Sequence, residues 1–288
     1  MTPNHKGALF MMGAMAAFTF NDTLVKAVGE ALPLSQILVL RGAMASLLIY
    51  AFARYQGSLR FRLSRRDWGL VGLRCLAEGG ATFLFLTALM RMPIANITAV
   101  LQMLPLTVTL GAALLFQEPV GWRRMVAILV GFCGMLMIVR PGPGGFEPAS
   151  VYALGAVACV TLRDLSTRRM SANVPSMTVT VLASFSVLGF GIGYSFFQDW
   201  VPVSTGQVGL LAGAACIILL GYLGSVMAMR VGDVAVVSPF RYTGLLWALI
   251  LGWLVFGDWP DRLTLMGATL VVAAGLFTLY RERQQNRD

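Results

Sequence analysis

Residues 16–26 read AAFTFNDTLVK, and this stretch places Asn21, Asp22 and Lys26 inside an apolar run that begins at Gly7. A carboxylate in hydrocarbon costs about 3 kcal/mol or more unless it finds a partner or faces water. Asp22 is therefore a candidate functional residue, provided that the run spans a membrane. Composition says that it does: of 288 residues, 57% are hydrophobic and 12% charged, with a mean hydropathy of +0.75, against about 25% charged in soluble domains. A span needs about 20 residues, and ten windows qualify: 7–28, 34–53, 68–89, 93–116, 121–139, 150–167, 176–197, 207–229, 234–256 and 262–280. The windows are continuously apolar rather than alternating, which selects helices over barrel strands. The expected fold is an all-α integral membrane protein of ten transmembrane helices, with connections too short to hold a soluble domain.

The net charge of +9 would suggest nucleic acid as a partner of a soluble protein, but here it reports topology. Fourteen Lys and Arg fall in tails and loops on one side, whereas the other side holds Lys26, Arg91, Arg140 and Arg262. The positive-inside rule places both termini on the cytoplasmic side, and the expected location is a bacterial inner (plasma) membrane. The partner that this charge implies is the lipid bilayer, not nucleic acid. The N-terminus carries Lys6 and then a long apolar run without a small-residue cleavage site, so it reads as a retained first span. Trp68, Trp122, Trp200 and Trp259 fall at span ends, where an interfacial aromatic belt belongs. Cys75, Cys133, Cys159 and Cys216 each lie in a different span without CxxC spacing, and read as packing thiols. Neither HExxH nor GxSxG occurs, and His5 is the one histidine. No catalytic residue, metal or cofactor is expected.

The chain looks duplicated. Asn21, Asp22, Lys26 and Pro33 stand over Arg163, Asp164, Arg168 and Pro175 at a constant offset of 142. Gln117, Glu118 and Pro119 echo Gly257, Asp258 and Trp259 at 140. The expected units are 1–145 and 146–288, joined by the PGPGG loop at 141–145. Five spans per unit force the second unit into the membrane upside down, so the repeats are inverted.

The segment ALMRMPIAN at 88–96 through LLFQEP at 114–119, followed by an apolar helix that ends IVRP at 138–141, resembles the EamA-type module of the drug/metabolite transporter superfamily. Two modules cover nearly the whole chain. The resemblance implies a secondary carrier for small metabolites, with helices 1, 3, 4, 6, 8 and 9 around a central cavity between the repeats. Export of amino acids, as in the YddG-like branch, is one implied activity. Uptake of a cofactor such as riboflavin or S-adenosylmethionine is the other.

Depth sorts the buried polar residues, at about 1.5 Å per helical residue. Asp22 lies roughly 9 Å from the outer end of its helix, with Arg41 at similar depth and Lys26 at i+4. Near the cytoplasm, Asp164 and Arg168 repeat the i, i+4 pair, joined by Arg241 and Arg74. These residues, Asp22, Lys26, Arg41, Asp164, Arg168 and Arg74, are the expected gating groups. The middle layer offers Glu78, for an ammonium or a coupling proton, and Gln102. Lys26, Arg41, Arg74, Arg163, Arg168 and Arg241 outnumber Asp22, Glu78 and Asp164, so the cargo is expected to be zwitterionic or to carry an anionic group. Arg163 and Arg241 are the expected partners of that group. Tyr242, whose hydroxyl needs a partner, and Asn21 complete the candidate substrate contacts. Pro105 and Pro239 occupy nearly corresponding positions and predict bends in helices 4 and 9.

Overall fold

The computed structural model describes residues 2–57, 59, 61–117, 121–140, 148–171 and 173–285. Ten helices are long and apolar enough to cross a membrane: α1 Pro3–Gly29, α2 Leu34–Tyr55, α3 Arg65–Leu89, α4 Ile94–Phe116, α5 Trp122–Val139, α6 Ala149–Arg168, α7 Ser176–Ser195, α8 Thr205–Val231, α9 Ser238–Phe256 and α10 Arg262–Arg281. The described residues contain no strand. Each helix lies within a few residues of its expected window, because local signals bound it. The Ser64 hydroxyl accepts the Asp67 N–H and starts α3. At 140 residues' distance, Ser204 accepts the Gln207 N–H in a reciprocal capping box and starts α8. Pro33 and Pro175, 142 apart, precede α2 and α7. The ends match as well: α4 stops on Gln117 at φ 55° and α9 on Gly257 at φ 70°. A left-handed non-glycine residue costs about 1 kcal/mol, yet Gln117 adopts the cap that Gly257 takes freely.

Packing carries the same symmetry. The contacts pair α1 with α8, α3 with α6, α2 with α7, α4 with α9, and α5 with α10. Exchanging each first-half helix with its second-half counterpart maps this set of pairs onto itself. With five alternating spans in each half, the halves run in opposite directions, and both termini lie at one end of the bundle. The 141–145 loop, the expected unit boundary at 145/146 and the Glu118–Pro119 turn lie outside the described residues.

Lipid tails are as apolar as leucine, so helices in a membrane associate chiefly through close packing. One buried cluster holds Val25 of α1, Ile37 of α2, Leu89 of α3, Ile97 of α4, Ala153 of α6, Leu211 of α8, Ala248 of α9 and Val271 of α10. The tightest approach is between α5 and α10, where a Cβ on Gly134 would lie 2.7 Å from the Gly267 carbonyl oxygen. The regular helix is interrupted near both prolines. α4 opens into a turn at Gln102–Met103 and resumes at Leu104 with Pro105 in its first turn. α9 begins as a 3-10 segment, Ser238–Tyr242, that contains Pro239. Proline lacks the N–H that would continue the ladder.

At the end away from the termini, Arg140 donates to Asp261, which also accepts the Thr264 N–H at 2.8 Å. The Arg140 bond and then the Thr264 N–H hold the Asp261 carboxyl well below the usual carboxylate range. A depressed carboxylate contributes stability above its unfolded value of about 3.9 and loses it as pH falls toward the folded value. Asp261 is more than half exposed, so the effect is that of a surface pair, about 1 kcal/mol or less. Asp261→Asn is expected to lower the melting temperature by a constant, small amount between pH 5 and pH 8. The difference between the two proteins should shrink progressively as pH falls below about 4.

Candidate functional site

A cavity of about 310 Å³ lies within the bundle, lined from α1, α2, α3, α4, α6, α7 and α8. Helical periodicity explains which residues reach it. On α2 the lining residues are Arg41, Gly42, Ala45, Ser46 and Ile49, and on α3 they include Arg74, Glu78, Ala81, Thr82 and Phe85. Each set is one face at i, i+4 and i+8 spacing. The helix ring differs from the one that the family resemblance implies, since α2 and α7 contribute and α9 does not. α9 turns its Gly244 toward Met15 of α1 and Gln102 of α4, and so backs the cavity wall instead of forming it.

Two charged clusters face the cavity. On α3 and α6, Glu78 is shared: Arg74 Nη1 is 3.5 Å from Oε2 and Arg163 Nη1 is 3.3 Å from Oε1. Arg163 also donates through Nε to Asp164 at 2.8 Å, and Arg74 Nε donates to the Thr167 hydroxyl at 3.0 Å. These bonds stitch α3 to α6. On α1 and α2 the arrangement is looser. Asn21 Nδ2 donates to Asp22 at 2.8 Å, while Asn21 Oδ1 accepts from Arg41 Nε at 3.1 Å. The expected pairing of Asp22 with Arg41 therefore runs through an amide.

Of the expected site residues, Asn21, Asp22, Arg41, Arg74, Glu78 and Arg163 line the cavity, and the others lie elsewhere. Gln102 sits in the α4 turn with its amide toward Gly244. Tyr242 is buried with its hydroxyl against Gly275 of α10. Arg241 is exposed and within electrostatic reach of Asp164 and Arg163. Arg168 is the last residue of α6 and is exposed.

Lys26 extends toward the end of α1, as a long cation at a helix end tends to do. Its Nζ donates to the Met92 carbonyl at 2.7 Å, lies 3.7 Å from Asp258 and sits 5.0 Å from the Phe256 ring centre. At the opposite end, Arg169 lies 4.0 Å from the ring centre of Phe116, the residue 140 positions before Phe256. The cavity lies between these two contacts. Asp258 balances Lys26 and Arg168 ends its helix. Among the described residues, the charges that line the cavity are Arg41, Arg74 and Arg163 against Asp22 and Glu78.

Three participants escaped the sequence reading. Tyr222 on α8 lines the cavity, stacks edge-on against Phe18 at 5.5 Å, and lies in the field of Glu78, Arg163, Arg41 and Arg74. A tyrosine hydroxyl in mid-span was the available signal. Ser46, which is 1% exposed, also lines the cavity, and a lone serine in an apolar helix gives no signal. Asp258 stood in a connection and served only as a repeat marker.

The sequence profile described as the EamA-like transporter family matches residues 5–140 and again residues 148–280. The chain is an EamA-like transporter. This EamA-like protein is 29% identical to a riboflavin transporter of Vibrio cholerae, over 98% of this chain and 96% of that one. It is 30% identical to a pseudopaline exporter of Pseudomonas aeruginosa, over 92% and 93% of the two chains. It is 24% identical to an S-adenosylmethionine uptake transporter of Rickettsia prowazekii, over 96% and 94%. A crystal structure with a TM-score of 0.65 at 19% identity covers 96% of this chain and 98% of its own, and shares the fold. With ten membrane-spanning helices and bacterial transporters as relatives, this is a multi-pass bacterial membrane protein of the drug/metabolite transporter superfamily.

Proposed function

We propose that this EamA-like transporter exports small zwitterionic metabolites of the amino-acid type from the bacterial cytoplasm, with its two repeats, 1–145 and 146–288, rocking about the cavity. The observation that carries the reading is the presence of both signs of charge, Asp22 and Glu78 with Arg41, Arg74 and Arg163, on one cavity. Carboxylates suit an ammonium, and arginine's planar fork suits a carboxylate. A volume of about 310 Å³ lies at the small end of ligand sites, about 300–1,000 Å³, which favours compact cargo. An ammonium arriving at Glu78 competes with Arg163, and so loosens the ion pair that joins α3 to α6.

Lys26 with Asp258 and Phe256, at one end, and Arg169 with Phe116, at the other, are the latches of this scheme. Lys26→Met and Asp258→Asn are each expected to slow exchange about tenfold, the equivalent of about 1.4 kcal/mol. The charge-swapped double variant should recover most of the rate, and wild-type exchange in Lys26→Met would remove the latch.

Counterflow in proteoliposomes with labelled amino acids, riboflavin and S-adenosylmethionine tests the function. Saturable exchange of an amino acid is the expected result. A second reading, uptake of a cofactor-like metabolite, draws on the names of the riboflavin and S-adenosylmethionine relatives. Exchange of those two compounds alone would establish it in place of the first.

A further inference from the structure

Resting on that transport reading, we infer that the carboxylate of the substrate is held by Arg41 and Tyr222, with Ser46 as a third donor on the same wall, and not by Arg163 or Arg74. The argument is one of unspent hydrogen-bonding capacity. Arg163 divides its charge between Glu78 and Asp164, at 3.3 and 2.8 Å, and Arg74 donates Nε to Thr167 while its charge is paired with Glu78 at 3.5 Å, although its buried Nη1 makes no hydrogen bond. A carboxylate binding there would have to displace a carboxylate already in place. Arg41 is different: its Nε goes to the neutral Asn21 amide, and among the described residues its two Nη groups have no hydrogen-bond partner. A guanidinium offers five donors in a fixed fork, so the pair needed for a planar oxyanion stays open.

Tyr222 supplies the second donor. It keeps 37% of its surface accessible although it lies in mid-span, because it lines the cavity. Arg41 lies within its electrostatic reach, and its hydroxyl has no hydrogen-bond partner among the described residues. Ser46, five residues beyond Arg41 on α2, lines the same cavity. It is 1% exposed, and its hydroxyl is unpartnered. Helical serines ordinarily return this hydrogen bond to a carbonyl one turn back, as Ser166 does. A buried polar group left unmade is costly, and the unpartnered Ser46 hydroxyl beside the open donors of Arg41 and Tyr222 marks where an oxyanion fits. Phe18, packed edge-on against Tyr222, holds the phenol ring toward the cavity.

The test is counterflow of labelled L-phenylalanine and L-leucine, with L-phenylalaninamide, which lacks the carboxylate, as competitor. Wild-type protein should prefer phenylalanine to its amide. Tyr222→Phe and Arg41→Lys, both close in shape to the native side chain, should each raise KM for phenylalanine about tenfold, as loss of a hydrogen bond to a charged group does. The inhibition constant of the amide should stay unchanged, so that the preference disappears. Ser46→Ala should give a smaller loss of the same kind, and Arg163→Gln should slow exchange without altering the preference. Loss of the preference in Arg163→Gln but not in Tyr222→Phe or Arg41→Lys would overturn the assignment and leave the transport reading intact. Exchange of riboflavin, which has no carboxylate, and of no amino acid would overturn it too. Exchange of none of these compounds by folded wild-type protein would sink the transport reading and the assignment together.

Discussion

Replacing Glu78 with glutamine is expected to lower exchange at least a hundredfold and to destabilise the protein. Glu78 neutralises Arg74 and Arg163 at once, and its side chain is only 14% exposed. Removing one partner of a buried ion pair costs about 3–5 kcal/mol, because the surviving charge is left uncompensated. The bond between α3 and α6 would also be cut. The double variant Glu78→Gln/Arg163→Gln should regain much of the melting temperature without regaining transport, because the excess charge is gone but the ammonium contact is not restored. If Glu78 also takes a coupling proton, the residual activity of Glu78→Gln will no longer vary with pH. Unchanged flux in Glu78→Gln would remove Glu78 from both roles.

Gly134→Leu should abolish folded protein. Even a methyl group at Gly134 would meet the Gly267 carbonyl oxygen at 2.7 Å, and one at Gly267 would meet the Gly134 carbonyl oxygen at 2.5 Å. Real Cβ atoms do not approach backbone that closely, so α5 and α10 would have to part along their length. Overpacking alone costs about 1–3 kcal/mol, and a leucine wedged between two backbones lies beyond that range. Gel filtration of the detergent-extracted protein should show no monodisperse peak for Gly134→Leu. Leucine at Gly13, whose Cβ would meet nothing within 4 Å, should leave the peak intact.

The fold was legible in the sequence because its determinants are local. Apolar windows set the ten helices, and Pro33 with Pro175 and Gln117 with Gly257 stood at matching places in the two halves, where the structure starts and stops equivalent helices. The deep charges Asp22, Arg41, Glu78 and Arg163 were legible for a related reason, since a charge in a span must face a partner or a cavity. Partner choice was not legible. Helical spacing alone put Lys26 beside Asp22, but Lys26 reaches toward the helix end and meets Asp258, a residue more than 200 positions away. Arg41 meets Asp22 through Asn21, a bridge that depth cannot reveal. Tyr242 seemed to need a cavity partner, whereas the 3-10 turn before Thr243 rotates it onto Gly275. Tyr222 offered only its mid-span hydroxyl as a signal and Ser46 none, and the three-dimensional packing of α1, α2 and α8 brings both to the cavity.

Rocking of the two repeats requires that one cavity serve both sides of the membrane. Thr82 of α3 lines it and can be replaced by cysteine in a background in which Cys75, Cys133, Cys159 and Cys216 are serine or alanine. Labelling with a membrane-impermeant maleimide in right-side-out and inside-out vesicles then reports access from each face. The account predicts that the cysteine at 82 reacts from both faces and is protected by the transported amino acid. Labelling from one face only, or labelling that the amino acid does not slow, would contradict it.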